Sequence, residues 1–566
     1  MAALWVPKLL NKPSPRVYLS TFIDYEAVFG QTPSIAAVIA LLKGIRREDC
    51  LRVLCSLCML LANENERDRK IQESLTGDFL APPTKHRLWV EADRTGSEIA
   101  FAERSVLCVL QLAAVHCDPA APALESEPAN AERIARACFA MNHLYLPVLR
   151  PARSELGPGA RKERVHKLLV QDLWFRRFER FSHAFPRYWE LLYGKPLKEG
   201  VVHFAGRFAE ATGLSFEQHA AAALAFQTFY QDFGIEKAHE DPTSFNPLID
   251  FQQLFSETHL DPAIRARIEC EYTQNVTDLA DELSRAFEDG YDPFALELAR
   301  RPFLRLDSGR VICSSPTLLW ERLTAGQYWQ ILDGFAGDSS GEAFLRGLGD
   351  RFEEYVRRLC SRVVGPGRCH HVEDEGELAD AILEYPKSLV LIQVKSGRPR
   401  EQVIREGELE AFLCELRSKS VLRAAEQSVR AVRRLFSEGI SIGGRGAHSL
   451  TAIYPVVVLL VPLQLDELLW RELDKEPEIR SLSNLEKVRP LQVVCAEELE
   501  MMETVCSERG LDLPTLLERK VEWDRRGRAW MKNFLIEEFS PVPANQYLRA
   551  KAEEILETVV KPLLWG

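Results

Sequence analysis

Asp380, Gln393 and Lys395 are the residues of this chain whose types and spacing suit them to chemistry. They sit in Leu-Ala-Asp-Ala-Ile-Leu-Glu-Tyr-Pro-Lys-Ser-Leu-Val-Leu-Ile-Gln-Val-Lys-Ser-Gly, residues 378–397, where two apolar runs flank the polar break Pro386-Lys387-Ser388. Such a break between strand-like runs predicts a β-hairpin. The period of two along its second strand puts Gln393 and Lys395 on one face and turns Ile392 and Val394 to the other. Antiparallel pairing brings Asp380 back to the same polar end. A carboxylate, an amide oxygen and an ammonium then converge. Mg²⁺ takes oxygen ligands of this kind, usually a carboxylate or two beside water and substrate phosphate. Water activated there attacks phosphorus, and an ammonium stabilises the developing charge or orients that water. The same residue types at strand ends are also ordinary surface chemistry, and the spacing alone leaves both readings open.

The stretch resembles the PD-(D/E)XK nuclease superfamily, whose signature is an Asp, a short hairpin and then acidic-X-Lys. Gln393-Val394-Lys395 departs from it in the acidic position and is similar to the Gln-X-Lys of Mrr-like restriction nucleases. The resemblance covers about residues 340–510. It implies a restriction-endonuclease-like α/β domain with a central mixed sheet, preceded by a helix that carries a Glu. Residues 341–362 supply such a helix, with Phe344, Leu345, Leu348, Phe352, Tyr355, Val356 and Leu359 at helical spacing, and Glu353 matches its Glu. The catalytic set implied is Asp380, Gln393, Lys395 and Glu353, with Asp380 and Gln393 holding Mg²⁺ or Mn²⁺. The family also expects helices and a buried strand after the hairpin, and residues 451–462 and 491–495 read as strands, the second leading into a helix at 496–506. Gln427 matches a glutamine that some members carry on the helix between. The implied activity is phosphodiester hydrolysis, of DNA in preference to RNA, in prokaryotic defence or restriction. The alternatives are a nuclease-fold module without catalysis, serving nucleic-acid binding or assembly, and an RNA nuclease.

The whole chain of 566 residues exceeds one core. Its punctuation suggests a helical domain over 1–200, a helical domain with a small hairpin at 301–315 over 201–340, the nuclease-like domain over 341–510, and a helical C-terminal segment over 511–566. Thr32-Pro33 reads as a helix start, and residues 262–287 as one helix. The formal charge is −12, so a nucleic-acid partner needs local basic patches. Residues 150–198 offer one, with twelve Lys and Arg against five acids. Within it Arg176, Arg177 and Arg180 are the expected phosphate contacts, joined by Arg398 and Arg400 beside the hairpin. The interleaved aromatics Trp174, Phe178 and Phe181, three or four apart, also fit a buried helix face.

Thirteen cysteines without a framework indicate reduced thiols and a cytoplasmic location. Cys55 and Cys58 sit among Leu and Met, which favours buried helix thiols over metal ligands, and adjacent Cys369 and His370 would point to opposite faces of a strand. No apolar run approaches the ~20 residues of a membrane span. No Gly-rich phosphate loop precedes a helix, which argues against an NTPase motor. A second copy of the chain or a defence-system protein is a possible partner.

Overall fold

Apolar residues recurring every three or four positions set most of the chain as helix, and two mixed sheets interrupt it. The computed structural model describes residues 23, 25–62, 69–95, 99–123, 129–145, 170, 179, 181–194, 204–230, 248–288, 296–333, 335, 340–371, 378–463, 465 and 467–565. No helix among them is long and apolar enough to cross a membrane. The chain forms two compact units, each drawn from three separate segments: residues 1–18, 156–204 and 335–553 in the first, and 19–155, 205–334 and 554–566 in the second.

The first unit is built on a five-stranded sheet. Its strands are β1 (Cys369–His370), β2 (Ala381–Glu384), β3 (Ser388–Lys395), β4 (Ala452–Leu459) and β5 (Gln492–Cys495), in the order β5-β4-β3-β2-β1. The β1, β2 and β3 pairings are antiparallel, whereas β3, β4 and β5 run parallel. All eight residues of β4 are buried, as a strand covered on both faces requires. The helices that matter below are α1 (Phe181–Tyr193), α2 (Ser340–Val364), α3 (Leu409–Lys419), α4 (Val421–Ser437) and α5 (Ala496–Arg509). Helix α2 packs on β1, β2 and β3, and α4 packs on β3 and β4. The α4 contact is a core in which Ala431, Val432 and Leu435 meet Leu378, Ile382, Leu389, Leu391 and Ile453. Each fully buried Leu or Ile there contributes about 2 kcal/mol.

The second unit is helical, with a four-stranded sheet in the order Leu248–Ile249, Val311–Cys313, Phe303–Arg305, Thr273–Asn275. The hairpin read at 301–315 is present, with Asp307-Ser308-Gly309 at its turn. Two details differ from the sequence reading. The helix Ile35–Leu42 is capped by Ser34, whose side chain accepts from Ala37 N, rather than by Thr32. The run 262–287 is two helices, Pro262–Tyr272 and Val276–Glu288, because Thr273–Asn275 leaves the helix to pair in parallel with Phe303–Arg305. Cys55 and Cys58 are fully buried in the helix Arg47–Leu61, and burial pushes both thiols well up.

Candidate active site

The hairpin forms where the polar break predicts it, with Tyr385 N donating to Ser388 O across the turn. Its register pairs Ala381 with Ile392 and Ile382 with Leu391. The paired register ends at Ala381: Asp380, just before β2, also donates its N–H to β3, to Ile392 O at 3.0 Å, and so departs from the regular ladder. The period of two along β3 puts Gln393 and Lys395 on the face that also carries Leu389 and Leu391, and Ile382, opposite Leu391, shares it. Ile392 and Val394 go to the other face and are buried there.

Asp380 Oδ2 accepts from Val394 N at 2.5 Å and lies 3.7 Å from Lys395 Nζ. Lys395 Nζ also donates to Val394 O at 2.8 Å. Gln393 Nε2 donates to Leu378 O at 3.4 Å. A carbonyl only accepts, so that end of the amide must be the NH₂, and Oε1 is turned the other way.

Glu353 is half-buried on α2. It lies four residues beyond Gly349 and so shares that face of the helix. Ser396 Oγ comes within 3.4 Å of where a Cβ on Gly349 would stand. The Glu353 face of α2 therefore runs beside the end of β3 that carries Lys395. On the other side, a Cβ on Gly397 would stand 3.0 Å from Lys419 O, which sets the α3–α4 junction against the same strand end.

The site is more closed than polar residues at a strand end suggest. Asp380 is 8% exposed and Gln393 2%, and the Lys395 side chain is 14% exposed. Helix α4 accounts for part of this, because it covers the face that Gln393 shares with Leu389 and Leu391. Gln427 lies on α4, and its Oε1 is buried without a hydrogen-bond partner.

Arg398 is half-buried and its Nη2 donates to Tyr188 Oη on α1 at 3.4 Å. Arg400 pairs with Glu415 at 2.7 Å, yet its side chain remains 70% exposed. Arg176, Arg177, Arg180, Trp174 and Phe178 lie outside the described residues, as do Glu373, Asp374, Glu375 and Glu377. Phe181 is buried, as are Phe185, Tyr188 and Trp189 on the same helix. His370 Nε2 meets Glu384 Oε2 at 3.0 Å, while Cys369 Sγ faces Arg357 O at 4.0 Å, so the two neighbours diverge.

One basic residue counted in the 150–198 patch is not on a surface at all. Arg187 is 0% exposed, its Nε and Nη2 donating to the two oxygens of Glu500 at 2.6 and 2.8 Å and its Nη1 to Glu179 at 2.5 Å. Glu500 Oε1 also accepts from Tyr355 Oη at 2.5 Å, and His183 Nδ1 is 3.5 Å from Oε2. Burial, reinforced by Glu497 and Glu500, pushes the Glu179 carboxyl up to about 7 against the pull of Arg187. Glu500 goes the other way: burial opposes its charge, but Arg187 and His183 hold it below the usual carboxylate range. The sequence does contain a faint signal for this cluster. Glu497, Glu498, Glu500 and Glu503 occupy several sides of α5, so no rotation of the helix keeps them all in water, and all four are buried.

Comparison of the chain with protein-family profiles, with curated proteins and with solved structures gives no match.

Proposed function

We propose that the first unit is a metal-dependent nuclease of the PD-(D/E)XK type, built on a restriction-endonuclease-like core and acting on DNA in preference to RNA. One observation carries this reading: Asp380 and Lys395, fifteen residues apart, meet at the open end of the β2–β3 hairpin, with the Lys395 ammonium 3.7 Å from the Asp380 carboxylate and Gln393 two residues before Lys395 on β3. The helix, antiparallel hairpin, helices and two parallel strands that surround them follow the order the resemblance implies.

The donor set fits Mg²⁺ or Mn²⁺. Asp380 Oδ2 is used by Val394 N, which leaves Oδ1, and Gln393 Nε2 is used by Leu378 O, which leaves Oε1, so each side chain keeps a hard oxygen of the kind such an ion takes. Among the described residues no three His, Cys, Asp or Glu side chains gather as a metal cage. Mg²⁺ does not need one, since it keeps several waters and the substrate phosphate in its shell. Bound there, the ion supplies a polarised phosphoryl oxygen and a more acidic water. The Lys395 ammonium would stabilise the negative charge that develops on the phosphoryl oxygens of the pentacoordinate transition state. Asp380 fixes that ammonium, and Val394 N fixes Asp380. Glu353 is assigned to orient water from the helix side.

A second reading, a nuclease-fold module that binds nucleic acid without cutting it, is favoured by the near-complete burial of Gln393 and by the amide in the acidic position. Incubation of the full chain with plasmid, linear duplex and RNA, with and without Mg²⁺ or Mn²⁺, separates the two. The nuclease reading expects cleavage that a chelator stops and that Asp380→Asn lacks. Retention of nucleic acid without cleavage under any metal supports the binding module.

A further inference from the structure

We propose that Arg187 is a positioning residue for this active site: from a buried ion cluster it fixes both the helix that carries Glu353 and the segment that follows Lys395. The inference rests on the nuclease reading for its functional meaning, and on the following geometry for its substance. Arg187 grips Glu500 with two parallel hydrogen bonds, at 2.6 and 2.8 Å, and Glu500 in turn takes the hydroxyl of Tyr355, two residues beyond Glu353 on α2. The same stretch of α2 is tied to α1 twice more. Arg351 Nη1 donates to Leu191 O at 2.8 Å, and Arg358 pairs with Glu190. These three attachments, at 351, 355 and 358, bracket Glu353 on both sides.

Helix α1 also reaches the other flank of the site. Tyr188, next to Arg187, accepts from Arg398, three residues past Lys395. One short helix thus holds the candidate water-orienting Glu353 and the exit of the strand bearing Lys395, although it lies more than 150 residues earlier in the chain. It begins at Phe181, immediately after Arg180, so the basic segment proposed to contact nucleic acid leads straight into it.

The chemistry of the cluster explains why arginine is needed. One guanidinium satisfies Glu500 through a planar fork and still spares Nη1 for Glu179. A lysine keeps the positive charge, so the buried carboxylates are not abandoned, but a point-like ammonium cannot hold two carboxylates in fixed orientation. Removing the charge outright would leave buried carboxylates unpaired and endanger folding. The informative substitutions are therefore Arg187→Lys and Tyr355→Phe, the second of which cuts only the link from Glu500 to α2.

The test uses the full chain as wild type, Arg187→Lys and Tyr355→Phe, with two readouts. Peptide-resolved amide hydrogen exchange should rise at residues 349–358 and 396–400 in Arg187→Lys, and at 349–358 in Tyr355→Phe, with residues 25–62 of the second unit unchanged. Mg²⁺-dependent cleavage of duplex DNA should lose roughly tenfold in kcat in Arg187→Lys, and a few-fold in Tyr355→Phe, with KM within about twofold, because misplacement of the catalytic groups costs rate rather than binding. Unchanged exchange at both segments in folded Arg187→Lys overturns the proposal, as does a rise in KM at constant kcat. If the wild type cuts no nucleic acid, the nuclease reading fails by itself, and the exchange result still decides whether Arg187 holds these two segments.

Discussion

Replacing Glu179 with glutamine should remove a defined pH dependence from the stability of α1. Arg187 faces two carboxylates, and it engages Glu500 through two bonds but Glu179 through one. Below about pH 7 the proton therefore sits on Glu179, whose carboxyl is pushed up to about 7 from 4.5 by burial, Glu497 and Glu500. In the unfolded chain the group titrates near its ordinary value. Between pH 4.5 and 7 the folded protein keeps a proton that the unfolded chain has lost, so stability falls as pH rises through that window and levels off above it. Glu500, with its carboxyl held low, contributes in the opposite sense and only on acidification below 4.5. At 1.36 kcal/mol for each pH unit from 4.5 to 7, the Glu179 contribution is about 3 kcal/mol. The assay is urea unfolding of wild type and Glu179→Gln at several pH values. It is read by pulse-labelled hydrogen exchange in a peptide covering residues 181–193, with every sample labelled at one common pH. Glutamine mimics the protonated acid, so the variant should match wild type near pH 4.5 and exceed it by about 3 kcal/mol near pH 8. Two parallel stability curves would refute the placement of the proton.

Three further outcomes rest on named side chains. Lys395→Ala should cut cleavage by about a hundredfold or more through loss of charge stabilisation, with little change in urea midpoint. Its stability effect is small because the ammonium bonds only to a neighbouring carbonyl and a carboxylate that Val394 N still satisfies. Charge reversal of Arg176, Arg177 and Arg180 should weaken nucleic-acid binding and flatten the slope of log affinity against log salt by roughly 0.9 for each phosphate no longer neutralised, measured by fluorescence anisotropy. Gly443→Ala should destabilise the first unit by about 2 kcal/mol or more in urea, since the residue sits at positive φ. Its Cβ would stand 1.8 Å from Glu384 Oε2, at a φ of +56°.

The hairpin and its three polar residues were legible because every step was local. A polar break and a period of two are enough to fix a register, and the ladder follows it as far as Ala381 and Ile392, where Asp380 departs from it. The strands β4 and β5 were legible for a similar reason, as short β-branched runs between turn signals. The closure of the site was not, since it depends on which sheet face α4 covers, and the amphipathic pattern of α4 says only that one side of it is buried. Nor could the place of Arg187 be read. Its partner Glu500 is 313 positions away, and a basic residue among basic residues looks solvated until a structure supplies the buried carboxylates. The same limit applies to the two compact units: Pro, Gly and charge runs mark where segments break, but they carry no signal for which segments pack together. Thr273–Asn275 left its expected helix for the same class of reason, a strand partner some thirty residues downstream.

The central claim is that Asp380 and Gln393 hold a divalent ion at which phosphodiester bonds are cut. Single-turnover cleavage of a labelled duplex, titrated with Mg²⁺ and with Mn²⁺, tests it most directly when run on wild type, Asp380→Asn and Gln393→Glu. Asparagine at 380 still offers an oxygen to Val394 N, so the fold is kept while the one charged ligand is removed. The account predicts metal-dependent cleavage by wild type, none by Asp380→Asn, and cleavage by Gln393→Glu that reaches half its maximum at the same or a lower metal concentration. Equal cleavage by wild type and Asp380→Asn, or none by wild type and none gained by Gln393→Glu, would contradict it.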